Sequence, residues 1–106
     1  MKKEEIMYRF HRVSQSTTAN FQEAARWAKQ VAEYISTNYA PITVQAYVEL
    51  FGDLNVIHWY GDFEDLASFE RMNAGLQKDQ KYGALLSKAS DLFIIGSGHD
   101  SLVQSI

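Results

Sequence analysis

Nine residues from Thr43 to Phe51 alternate in a way that fits an extended strand with two unlike faces. Side chains on a strand point to opposite sides in turn, so Val44, Ala46, Val48 and Leu50 share one face and Gln45, Tyr47, Glu49 and Phe51 share the other. The aliphatic face suits helices from the same chain. The second face mixes large rings with an amide and a carboxylate, which is too apolar for open water and too polar for a plain core. A second copy of the chain is the simplest cover for it, so a homodimer is expected.

The rest of the chain supplies the partners for that strand. Ile6 to Val13 is rich in β-branched and aromatic residues and predicts a first strand. After the polar break Ser14 to Thr18, an apolar stripe at helical spacing predicts a helix ending near Tyr39. The stripe comprises Phe21, Ala24, Ala25, Ala28, Val31, Ala32, Ile35 and Tyr39. Its cap is Asn20, boxed with Glu23, or else Thr17 or Thr18. Trp27 and Tyr34 fall on the flank of the stripe, against a sheet edge or a neighbouring protomer. Pro41 stops the helix.

Gly52-Asp53 supplies turn chemistry between the second strand and a third, Asn55 to Phe63. Asp62 or Asp65 then caps a second helix with Leu66, Phe69, Met72 and Leu76 inward. Asp79 restarts it, with Tyr82, Leu85, Leu86 and Ala89 as the next buried set. Phe93-Ile94-Ile95 and the tail Leu102 to Ile106 are expected to hold the fourth strand. The order β-α-β-β-α-β is the split β-α-β pattern of a ferredoxin-like α+β sandwich. Its sheet is antiparallel in the order 4-1-3-2, with both helices on one side.

Composition narrows the function classes. At 106 residues the chain suits one domain, residues 1–106, small enough to gain stability from dimerisation. A net charge of −3 and scattered basic residues leave no footprint for nucleic acid. Without cysteine there is no disulfide, thiolate ligand or thiol nucleophile. The Met-Lys-Lys-Glu-Glu start leads straight into the first strand, and no apolar run approaches membrane-spanning length, so a cytoplasmic protein without a membrane partner is expected.

Parity assigns the open face of the sheet. The second strand gives Gln45, Tyr47, Glu49 and Phe51, and the third gives Val56, His58 and Tyr60, with Ile57, Trp59 and Phe63 under the helices. On the first strand, either Arg9 and His11 or Ile6, Tyr8 and Phe10 face outward. Arg9 and His11 are favoured, because an arginine buried under helices without a partner is costly. Rings with a few convergent polar groups make a small-molecule site. Arg9, Tyr47, Phe51 and Tyr60 are therefore the ligand-binding candidates, and His58, His11 and Glu49 are the candidates for proton chemistry. Arg9 suits an anionic or carbonyl-bearing ligand, unless it pairs with Glu49.

Two histidines and a carboxylate are also the donor set of some iron and zinc sites. Nothing in their spacing fixes such a site, so the expectation is a polar cluster, with no metal and no cofactor. The acidic residues Asp62, Glu64 and Asp65 read as helix-terminus carboxylates. Gly96-Ser97-Gly98 reads as a turn, because no long helix follows to cradle a phosphate.

Ile57-His58-Trp59-Tyr60, followed by Asp62, Leu66, Glu70, Leu76, Asp79, Tyr82, Leu85-Leu86, Phe93, Gly96-Ser97, Asp100 and Leu102, resembles the second half of dimeric α/β-barrel proteins. That superfamily holds antibiotic-biosynthesis monooxygenases, NIPSNAP-type proteins and stress-responsive barrel proteins. The resemblance implies two ferredoxin-like sheets facing each other around a cavity. It also implies either a ligand-binding protein of unassigned activity or a cofactor-independent monooxygenase acting on an aromatic or polyketide-like molecule. Haem-degrading relatives hold iron through a histidine in the second helical region, and this chain has none between Leu66 and Ser90. No arginine matches the one monooxygenase relatives carry on the last strand.

Overall fold

The computed structural model describes residues 6–106, so the Lys-Glu start of the chain lies outside the described residues. Strand β1 spans Tyr8–Gln15, helix α1 Phe21–Asn38, strand β2 Thr43–Val48 and strand β3 Val56–Phe63. Helices α2 (Leu66–Lys78), α3 (Gln80–Leu86) and α4 (Ala89–Leu92) precede strand β4, His99–Gln104. The strands form one antiparallel sheet in the order β2-β3-β1-β4, as the ferredoxin-like pattern requires. No helix among the described residues is long and apolar enough to cross a membrane.

The core lies between the helices and one face of the sheet. Ala24, Ala28 and Ala32 keep α1 thin where it meets Ile57, which is 1% exposed. Trp27 and Tyr34 also turn inward rather than toward a neighbouring protomer. Trp27 packs edge-on to Trp59 and donates Nε1–H to the Leu85 carbonyl at 2.7 Å. Tyr34 and Tyr39 both donate their hydroxyls to Asp79, at 2.6 and 2.7 Å. Tyr8 and Phe10 pack against the core, which leaves Arg9 and His11 on the open face.

Caps follow local chemistry only in part. Asp65 caps α2 by accepting from the Ser68 amide at 2.7 Å, and Asp79 caps α3 by accepting from the Tyr82 amide at 3.0 Å. Asp62 is not a cap: it lies within β3. The expected Asn20 box does not form. No side chain caps α1, and Asn20 instead donates to the Asp91 carbonyl at 3.0 Å.

The strand ends depart further from expectation. β2 stops at Val48, and Leu50 and Phe51 project into the hairpin turn, 85% and 93% exposed. Val48 is itself 43% exposed, so only Val44 and Ala46 of the expected four pack against the core. The physical reason is position: β2 is an edge strand, and an open cleft between it and α1 reaches Val48. Leu86 is likewise exposed. Phe93 makes only an isolated bridge to Ser16, and Ile94-Ile95 leads into a turn. The fourth strand begins instead at His99, opposite Val13 of β1, and beside it Arg12 donates to the Asp100 carboxylate at 2.7 and 2.9 Å.

Candidate functional site

The open face is built by register. On β3, His58, Tyr60 and Asp62 stand in a row. Tyr47 of β2 pairs opposite His58, and Gln45 opposite Tyr60. His11 of β1 pairs opposite Tyr60, and Arg9 opposite Asp62. Directly opposed residues of antiparallel strands share a face, so these side chains meet. His11 stacks on Tyr60 with ring centroids 4.5 Å apart, and Tyr47 meets Tyr60 edge-on at 5.6 Å.

Glu49 follows β2 but is held beside it, its amide bonded to the Val56 carbonyl at 2.9 Å. Its carboxylate hydrogen-bonds to Nε2 of His58. On the other side of the same ring, His58 Nδ1 lies 2.8 Å from His11 Nε2. Gly52 makes room for this arrangement: it has φ +123°, and a Cβ there would collide with the Glu49 carboxylate. The three candidates for proton chemistry are thus one chain across three strands. His58 is its middle link, with both ring nitrogens engaged. His11 and Glu49 each bond to His58 instead of converging with it on a common point. Among the described residues no group of three or more potential ligands is arranged to hold a metal ion.

Arg9 pairs with Asp62 rather than with Glu49. Its Nε and Nη2 donate to the two Asp62 oxygens at 2.7 and 3.0 Å, and its guanidinium lies 5.1 Å from the Tyr60 ring centroid. The bidentate bond holds the Asp62 carboxyl below its ordinary range. Both side chains are about half exposed (53% and 46%), so solvent screens the pair and it adds little to the stability of the fold. It does neutralise Arg9. A neutral carbonyl oxygen accepting from the remaining N–H groups is therefore a better fit than a free anion. Burial, and then the neighbouring His58, push the His11 pKa down from 6.5.

An open cleft of about 670 Å³ lies over β2 and β3, lined by Arg9, Gln45, Tyr47, Glu49, His58 and Tyr60 among others. Phe51 touches its rim from the exposed turn. A second cavity of about 540 Å³ lies on the helical side, among Phe10, Trp27, Trp59, Phe69 and Tyr82, with the Arg12–Asp100 pair at one end. No local pattern pairs Arg12 with Asp100. Only the β1–β4 register brings them together, 88 residues apart in the chain.

A model of a family of unknown function, DUF6039, matches residues 7–95. No curated protein matches the chain. Among solved structures, a NIPSNAP family protein from Agrobacterium tumefaciens superposes with a TM-score of 0.77 at 14% identity, covering 100% of this chain and 91% of the other. A NIPSNAP domain protein from Burkholderia xenovorans gives 0.71 at 16%, covering 93% and 92%. An antibiotic biosynthesis monooxygenase gives 0.71 at 9%, covering 93% and 98%. At these identities the likeness is one of fold, the same NIPSNAP-like and monooxygenase-like ferredoxin fold that the motif resemblance implied.

Proposed function

The chain belongs to the DUF6039 family, and from that starting point we propose that it is a small-ligand-binding protein working as a homodimer of single-domain, 106-residue chains. The open faces of two sheets would enclose a cavity that takes a flat aromatic, carbonyl-bearing molecule. The observation that carries this reading is the open-face cleft, where Tyr47 and Tyr60 supply rings and Arg9, Glu49 and His58 supply convergent polar groups. Exposed apolar side chains near the same side, among them Tyr47 at 50% and Val103 at 54%, support its being covered by a second copy. Chemical-shift mapping with aromatic ketones tests the ligand site. Perturbations are expected at Tyr47, Tyr60 and His58, and a response confined to the helices would refute the placement.

The helical-side cavity favours a second reading, a monooxygenase-like enzyme that takes a flat aromatic substrate between Trp27, Trp59 and Tyr82. Both indole N–H groups are already donated to backbone carbonyls, at 2.7 and 3.1 Å, so the rings would act as walls. Oxygen consumption with aromatic quinols distinguishes the two readings, since simple binding consumes none.

A further inference from the structure

We propose that His11 is a proton-accepting group, set in its basic form by His58 and Glu49, and that it ionises the hydroxyl of a hydroxyaryl carbonyl compound held over Tyr60. This rests on the ligand reading above and names the chemistry of that site. A carboxylate only accepts hydrogen bonds, so His58 carries its proton on the Nε2 that faces Glu49. Neutral His58 then has a bare Nδ1, which accepts from His11 Nε2–H across 2.8 Å. With its proton committed to Nε2, neutral His11 presents a bare Nδ1. One carboxylate thus fixes the tautomers of two successive rings, and the lone pair at the end of the chain is the base.

The same chain stabilises the charge that forms. The ligand O–H bond breaks, its electron pair stays on the ligand oxygen, and the proton goes to His11 Nδ1. The Nε2 proton of His11 then shifts to His58 Nδ1, so the cation comes to rest beside the Glu49 carboxylate. Atoms and charge balance without a further reactant. His11 stands one ring beyond the cleft, stacked on Tyr60 at 4.5 Å. A ligand lying across Tyr60, with its carbonyl toward Arg9, would meet His11. Other titratable groups on this face are Tyr47, Tyr60, the mutually neutralised Arg9 and Asp62, and His99, which β4 places beside Val13. In the unliganded protein burial and the neighbouring His58 disfavour the His11 cation and outweigh Asp100, which favours it from the other side of the sheet.

The test uses 4-hydroxybenzylideneacetone, whose phenolate absorbs to the red of its phenol. On the wild-type protein its ionisation constant is expected to rise at least ~tenfold, one pKa unit. Glu49→Gln is the discriminating variant. Its amide carries no charge to hold the relayed cation at His58, so the probe should bind but ionise as it does in water. His58→Gln and His11→Asn should act alike. Nitrogen-15 spectra of the unliganded wild type should show His58 protonated at Nε2 and His11 bare at Nδ1. The opposite wild-type tautomer, or a bound probe whose ionisation is unchanged, overturns the relay and leaves the ligand reading intact. A probe that does not bind overturns the inference together with that reading.

Discussion

Asp79 shows how much one residue can organise. It caps α3 while accepting the hydroxyls of Tyr34 and Tyr39, and these bonds bring its pKa to about 2 while Tyr34 is pushed up to about 12. A carboxylate lowered from 3.8 contributes stability above that value and loses it as the pH falls toward 2. Asp79→Ala should lower the melting temperature by roughly 5 °C at neutral pH, by losing a cap. Thermal melts over the acid range should also show a shallower decline in the variant than in the wild type. His11 has the same sign at a higher pH. Its folded pKa lies below 6.5, so the unfolded chain takes up its proton first and stability falls as the pH drops below 6.5. Denaturant midpoints measured between pH 8 and 5 should decline in the wild type and less in His11→Asn.

At the level of elements, the two hairpin strands are unequal. β3 sits inside the sheet, with Ile57, Trp59 and Phe63 buried in the core. Ile57→Ala should cost about 2–5 kcal/mol in denaturant unfolding, as the lost side chain leaves a cavity under α1. Val48 shares the parity of Val44 and Ala46 but lies at the end of an edge strand, 43% exposed. A charge there stays in reach of water, so Val48→Asp should change stability by about 1 kcal/mol or less, whereas Val44→Asp should unfold the chain. Equal losses from the two would mean that α1 covers β2 to its end.

For the whole molecule the prediction concerns assembly. If two open faces associate, Tyr47→Glu sets an acid beside Glu49 and weakens the dimer roughly tenfold or more. Phe51→Glu, on the exposed turn, should have the smaller effect. Analytical ultracentrifugation at micromolar concentration reads both, and a wild-type monomer that stays folded under those conditions would remove the proposed dimer.

The residue order alone determined the β-α-β-β-α-β frame, the sheet order and the two faces of β3, because period-two and helical stripes are local properties of the chain. It placed His58 and Glu49 on the open face, left two faces open for His11 and favoured the one observed. Tertiary structure decided the rest, wherever the outcome depended on a partner distant in sequence. Arg9 found Asp62 instead of Glu49 because register sets the two directly opposite. Arg12 meets Asp100 across the β1–β4 register. Leu50 and Phe51 carry the alternation of a strand but no neighbour to pair with, so they became a turn. The contact between Glu49 and His58 was decided in the same way, because the hairpin folds back on itself.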